Sequence, residues 1–212
     1  MKYVPYYWWA IAPRMKKALY KRYPRRSVDR LMKKAKPIYK ELLGEMHGMS
    51  PGNPMATYIY MPFIVIAVWL ASNRKIKPAS MSEVLSDVID WPLMKRAAGL
   101  IDMNRPLGVK LFGSFMHMAD NWTKRHPADT NTWDFHFDES LHEDGFYYHF
   151  TYCPLWEFCK AHGYEEISRV LCGMDYQTMS MMHSRLIREQ TLSGGGEKCD
   201  YWTFGDKIAE PH

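Results

Sequence analysis

The residue types best suited to chemistry lie in the last third of this chain. Cys153 stands before Pro154, Cys172-Gly173-Met174-Asp175 follows, and Arg188-Glu189-Gln190-Thr191-Leu192-Ser193-Gly194-Gly195-Gly196 leads into Cys199-Asp200-Tyr201. A thiolate attacks an electrophilic carbon, a carboxylate draws a proton from water, and a guanidinium holds a carboxylate in a two-pronged grip. Cys153 sits at a predicted strand end just before a helix start, where the helix dipole lowers a thiol pKa. It is the first choice as nucleophile, with Cys172 and Cys199 next. Asp175 and Asp200 are the candidate general bases. Arg188 with Thr191 is the candidate grip on a substrate carboxylate, and the backbone N–H groups around Gly195 are candidates for stabilising an oxyanion.

Each assignment has a structural alternative. Arg188 equally fits an internal ion pair with Asp175 or Asp200, and Asp175 a polar contact on a helix side. Gly194–Gly196 fits a hairpin turn, and Cys159 falls on the apolar stripe of its helix, where a thiol packs as a small hydrophobe. In an extended strand Cys199 and Asp200 point to opposite faces, so one of the two is structural. His149 and His183 stay in view for their position. No C-x₂-C or H-x₃-H spacing occurs, which argues against zinc, so neither a metal nor an organic cofactor is expected.

The elements that position these residues fall into two halves. Residues 1–128 read as mainly helical. Val28, Leu31, Met32, Ala35, Tyr39, Leu42 and Leu43 recur at helical spacing behind Ser27 as N-cap, with Pro37 as a kink. Met55 to Asn73 carries no charge and approaches the length of a membrane span. Thr57, Tyr58 and Tyr60 bring polar tips, Pro62 interrupts the run and no second such run exists, so a buried helix is expected, with Pro54 in its first turn. Ser80 and Glu83 have capping-box spacing, and another helix is predicted over 106–124. Residues 129–206 form the sheet half. Trp133, Phe135 and Phe137 alternate with polar residues, and with 146–153 they predict a hairpin in which Asp134 lies near His149 while Tyr147, His149, Thr151 and Cys153 share the less apolar face. A short helix from Pro154, two more ending near His183, a strand over 185–192 and a last strand over 199–204 complete an α+β fold in a single domain.

Composition narrows the function. The chain has 212 residues, 47% hydrophobic and 24% charged, with 8 Trp, 14 Tyr and 9 Phe. Aromatic residues in that number suit the walls of a small-molecule cavity. The net charge of +5 comes largely from basic residues between Arg14 and Lys40, which read as a solvated helix face, since no nucleic-acid motif accompanies them. Residues 1–10 do not resemble a secretory leader, so free thiols in a cytoplasmic protein are expected. Neither a nucleic acid nor a membrane is the expected partner; a homo-oligomer is compatible.

The ordered motifs above, with Arg-x-x-Thr-Leu, a glycine turn and Cys-Asp-aromatic at the end, resemble the L-2-amino-thiazoline-4-carboxylic acid hydrolase family over roughly residues 133 to 205. Thr203 departs from the pattern, standing where a second aromatic belongs. The resemblance implies a cofactor-free hydrolase that opens a small ring of the cyclic amidine, thiazoline or cyclic amide type, acting on a small-molecule substrate with a carboxylate. On this reading Cys153, Asp175 and Cys199 are the candidate catalytic residues, and Arg188, Thr191, Gly195, His149, Cys172 and Asp200 the candidate substrate-binding ones. The chain's ending is also similar to vinyl-reductase-like domains, which keeps a non-enzymatic binding module open as the alternative.

Overall fold

The uncharged run after the Gly52-Asn53-Pro54 turn forms the centre of the molecule. A computed structural model describes residues 1–138 and 140–209 of the chain. The run folds as helix α3, Thr57–Ala71, in which Ile59, Tyr60 and Phe63 to Trp69 are all buried. A helix apolar on every side has to be covered on every side. The cover comes from α1 (Pro5–Tyr20), α2 (Arg25–Glu45) and, further along the chain, α8 (Glu165–Ser180). No described helix is long and apolar enough to cross a membrane. Three more helices, α4 (Pro78–Ile89), α5 (Pro92–Ala98) and α6 (Pro106–Arg125), complete the helical half.

The sheet half carries β1 (Phe135–Phe137), β2 (Phe146–Phe150), the short α7 (Pro154–Ala161), α8, β3 (Ser184–Ile187), one 3₁₀ turn (Leu192–Gly194) and β4 (Cys199–Gly205). The four strands form an antiparallel sheet in the order β1-β2-β4-β3. The architecture is α+β.

Several local expectations shift, each for a visible reason. Helix α2 opens at Arg25 because the Pro24 carbonyl accepts the N–H groups of Ser27 and Val28, leaving Ser27 inside the first turn. Pro78 takes the first position of α4, where its missing N–H costs nothing, so Ser80 caps nothing. The chain turns through Met55 and Ala56 before α3 starts at Thr57, beyond the first-turn position expected of Pro54. The two helices expected before His183 are one, α8, because Gly173 lies on its exposed side with no packing to interrupt.

Both shortened strands end at an aspartate. The Asp134 carboxylate accepts the N–H groups of Thr151 (2.9 Å) and Tyr152 (2.7 Å), so β2 stops at Phe150 rather than Cys153. Asp200 does the same to Glu189 and Gln190, both at 2.8 Å, and β3 stops at Ile187 rather than Leu192. The hairpin register sets Phe135 against Phe150 and His136 against His149. Asp134 therefore falls level with Thr151, two residues beyond His149, and Cys153 leaves the His149 face altogether. Gly145 turns the hairpin at φ +81°, and a Cβ there would meet the Thr203 carbonyl oxygen at 2.1 Å.

The basic segment lies along α1 and α2, and part of it is paired. Lys16 meets Asp29 at 2.7 Å, while Lys21 and Arg22 meet Asp87 of α4 at 2.6 and 2.5 Å.

The start of α3 is clamped from a distance. Buried Asp129 accepts from Ser50 N (2.9 Å), Ser50 Oγ (3.0 Å), Asn53 Nδ2 (3.0 Å) and Trp122 Nε1 (3.1 Å), and Asn53 Oδ1 in turn accepts Met55 N at 2.8 Å. Burial pushes the Asp129 carboxyl up, but these bonds outweigh it and hold the group below its ordinary value. Asp129→Ala leaves buried donors unpaired and is expected to cost about 3 kcal/mol near neutral pH. A depressed folded pKa stabilises in full above the unfolded value of about 3.9 and is lost as pH falls through the folded value. Denaturant midpoints of wild type and variant should therefore differ at pH 7 and converge with acidification.

Candidate active site

The helical half and the inner face of the sheet enclose a cavity of about 250 Å³. Helix α8 contributes Leu171, Cys172, Met174, Asp175, Thr178 and Met179 to its wall. These recur at three- and four-residue steps and so share one helix face. Tyr58 and Met61 enter from α3, Tyr148 and Phe150 from β2, and Tyr201 from β4. In the register of β2 with β4, Tyr148 opposes Tyr201, which puts both rings on the inner face, stacked with centroids 4.9 Å apart. Cys153, freed from the ladder by Asp134, caps α7 and lines the same wall.

Asp175 is the charged group of the cavity; no Lys, Arg or His is among the described lining residues. Its carboxylate is held from behind. Arg188 Nη1 donates to Asp175 Oδ2 at 2.6 Å, Tyr201 donates its hydroxyl to the same oxygen at 2.8 Å, and Arg188 Nη2 donates to the Cys172 carbonyl at 2.8 Å. The Arg188 side chain is only 5% exposed, whereas Asp175 keeps 27%, the part that faces the cavity. Both protein hydrogen bonds to the carboxylate fall on Oδ2, and none falls on Oδ1. Burial raises the Asp175 carboxyl above its ordinary value, with Arg188 and the Tyr201 hydroxyl pulling the other way.

The other polar groups of the cavity are kept neutral. Burial pushes the Cys153 thiol well up and the neighbouring Cys172 adds to it, so the N–H groups of Trp156 and Leu155 at the start of α7 do not bring it down. The expected lowering by the helix start is outweighed. Cys172 is likewise raised by burial, although the Ser193 hydroxyl donates to its sulfur at 3.3 Å. Tyr58 is pushed up to about 12 by burial and by the charge of Asp175, so it stays a hydroxyl donor.

The sequence-predicted residues thus divide. Cys153, Cys172 and Asp175 come together in the cavity, and Arg188 stands behind Asp175 in the internal ion pair. Cys199 lies buried beside them, accepting Leu192 N–H at 3.2 Å, with its thiol raised by burial to about 11. Asp200 and His149 oppose each other in the register and point to the outer face of the sheet. There Asp200 serves as the clamp on Glu189 and Gln190. His149 stacks on His136 at 4.9 Å, and burial holds its pKa down. Thr191 caps the 3₁₀ turn by accepting Gly194 N–H at 3.0 Å. The N–H groups of Gly194, Gly195 and Gly196 all bond to carbonyls within the turn, and Gly195 adopts φ +92°. That loop holds itself together and does not face the cavity, so Gly195 is placed away from any oxyanion there. The four thiols are free, and no group of three or more His, Cys, Asp or Glu poised for a metal occurs among the described residues.

Sequence reasoning missed Tyr58, Tyr148, Tyr201 and Trp133 as cavity residues. The usable signal was the polar tip of Tyr58 inside an otherwise apolar run, since a hydroxyl there needs a partner or a void.

The α+β fold thus closes helices and sheet around an aromatic cavity with one backed carboxylate. The chain belongs to the L-2-amino-thiazoline-4-carboxylic acid hydrolase family, whose model matches residues 57–203. That span includes Tyr58, Cys153, Asp175, Arg188 and Tyr201, and the family name carries the activity of a hydrolase. No curated protein and no solved structure gives a match.

Removing Arg188 strands a buried carboxylate, a change that costs about 3–5 kcal/mol where the pair is fully enclosed. With Asp175 open to the cavity the lower end is expected for Arg188→Met. Adding Asp175→Asn should recover most of that loss in a denaturant titration. Additive losses would mean that the pair is not coupled.

Proposed function

We propose that the protein is a hydrolase that opens a small nitrogen-containing ring, using water activated by Asp175. The observation that carries this reading is the carboxylate of Asp175 at the cavity wall, anchored through Oδ2 and without a protein hydrogen bond at Oδ1. Water bound to Oδ1 attacks the C=N or amide carbon of the ring, and its proton passes to Oδ1. The bond from that carbon to the ring sulfur or nitrogen then breaks, and the leaving atom takes the proton from Asp175. In the C=N case the second water proton passes from the new oxygen to the former imine nitrogen as the C=O forms. The raised pKa of Asp175 makes it a stronger base than an exposed carboxylate. Tyr58, protonated and near Asp175, supplies a hydroxyl to the charge that develops on the attacked centre. The family membership supports hydrolysis as the class of reaction.

A second route uses Cys153 as nucleophile, favoured by its place on the cavity wall and opposed by the raised pKa of its thiol. The non-enzymatic alternative is a binding module, to which the largely apolar wall would also be suited.

One set of assays separates the three. The purified protein should consume aminothiazoline carboxylate or a related cyclic amidine, and Asp175→Asn should lower kcat by about 10²–10⁴. Cys153→Ala should stay within about threefold of wild type. The reverse pattern assigns the thiol route. A general base works deprotonated, so kcat/KM should fall as pH drops through the Asp175 pKa, at a pH above that of an ordinary carboxylate. A ligand retained through purification with no ring opened would establish the binding module.

A further inference from the structure

The walls of the cavity define the charge of what it holds. Five aromatic rings form a continuous run around its polar end. Tyr58 meets Trp133 at 6.2 Å, Trp133 meets Phe150 at 6.4 Å, Phe150 meets Tyr201 at 5.5 Å, and Tyr201 stacks on Tyr148. All five line the cavity together with Asp175. Ring faces carry negative potential and attract cations, the more so where water is excluded. The five rings share the cavity wall with Asp175, whose Oδ2 accepts the Tyr201 hydroxyl while no protein hydrogen bond falls on Oδ1. The guanidinium that a substrate carboxylate would require is already committed, to Asp175 Oδ2 on one nitrogen and the Cys172 carbonyl on the other. An anion placed in this cavity would face Asp175 and the ring faces without a free cation, and a buried unpaired charge is strongly disfavoured.

The opposite end of the cavity is apolar. Ile11, Met15, Met61, Val65, Leu85 and Met116 come from α1, α3, α4 and α6. A dry cavity of about 150 Å³ suffices for benzene, so 250 Å³ leaves room for a ring and a substituent of several carbons. Methionine adapts its shape to such a substituent.

We infer that the cavity takes a delocalised organic cation, a cyclic amidinium whose ring carries an apolar substituent where a carboxylate would otherwise stand. The amidinium lies among the aromatic rings with its charge facing the Asp175 carboxylate and leaves room for the attacking water at Oδ1, and the substituent extends between α1, α3 and α4. The inference deepens the hydrolase reading and rests on it for turnover, though not for binding.

Binding is measured first, by calorimetry on the full chain, with benzamidinium, benzamide and benzoate as probes of one shape and three charges. Benzamidinium should bind about tenfold or more tighter than benzamide, with benzoate weakest. Asp175→Asn should bring benzamidinium down to the level of benzamide and leave benzamide unchanged. Should that variant fail to fold, Tyr58→Phe and Tyr58→Leu serve instead. The phenyl ring should retain the preference for the cation, and leucine should reduce it by about threefold or more. Benzoate binding as tightly as benzamidinium, or a cation preference unchanged by both Asp175→Asn and Tyr58→Leu, overturns the inference. Turnover is measured second, on 2-aminothiazolines bearing an alkyl group or a carboxylate at the same ring carbon. A kcat/KM for the alkyl compound about tenfold or more above that for the carboxylate supports the inference. Equal values or the reverse order overturn it while leaving the hydrolase reading intact. Tight benzamidinium binding with no ring in the series opened overturns the hydrolase reading and leaves the cation site.

Discussion

A carboxylate at the wall of an apolar cavity is tolerable only if something compensates its lost hydration. In this protein that is the guanidinium of Arg188, 2.6 Å from Asp175 and itself almost wholly enclosed. The pair joins the middle of α8 to the chain just past β3, and through the Cys172 carbonyl it grips a second point of the same helix. Tyr201 adds a bond from the neighbouring strand. Helix and sheet are thus tied at the place where the cavity becomes polar, and the rings of Tyr176 and Tyr201 lie about the guanidinium at 5.0 and 5.2 Å.

The register of β3 with β4 sets Ile187 against Trp202, so Arg188 falls next to Tyr201 on the inner face just where the ladder ends. By accepting the N–H groups of Glu189 and Gln190, Asp200 ends the pairing one residue before the arginine. Asp134 does the equivalent for β2, releasing the chain so that Cys153 turns inward at the start of α7. Neither aspartate lines the cavity. Each costs a strand some ladder bonds and returns two charge-assisted ones, which are the stronger kind. The outcome is that the inward position of Cys153 is set by Asp134, a side chain that does not line the cavity.

Much of this was legible in the sequence wherever periodicity decides. The α+β class, the helix over 106–124, the hairpin and the final strand follow from spacing, and Cys172 and Asp175, singled out through the motif, stand on one face of α8 at the cavity wall. What was not legible was the competition between a backbone donor and a nearby aspartate. Strands expected to run to Cys153 and Leu192 carry enough β-formers to continue, and only tertiary placement of Asp134 and Asp200 stops them. The glycine turn was similarly opaque. Three consecutive glycines suggest donors aimed at a ligand, yet Thr191, Leu192 and Gly194–Gly196 satisfy one another within five residues or so of chain. Strand alternation would keep His149 and Cys153, four residues apart, on one face, but β2 ends at Phe150, so Cys153 turns to the cavity while His149 stays on the outer face.

The electrostatic logic of the cavity now has one consistent sign. Low polarity raises the thiols of Cys153, Cys172 and Cys199 and the hydroxyl of Tyr58, so these groups remain protonated and uncharged. The same environment would neutralise Asp175 as well, and Arg188 and Tyr201 are what oppose it. A site of this construction concentrates all its charge response on one oxygen atom, with neutral donors and ring faces around it. Its polar end is built from residues inside the family-matched span, whereas Ile11 and Met15, which close the apolar end, lie outside that span. Chemistry and fit are therefore supplied by different parts of the chain. Changes in α1 can reshape what the cavity admits without touching Asp175 or the groups that hold it.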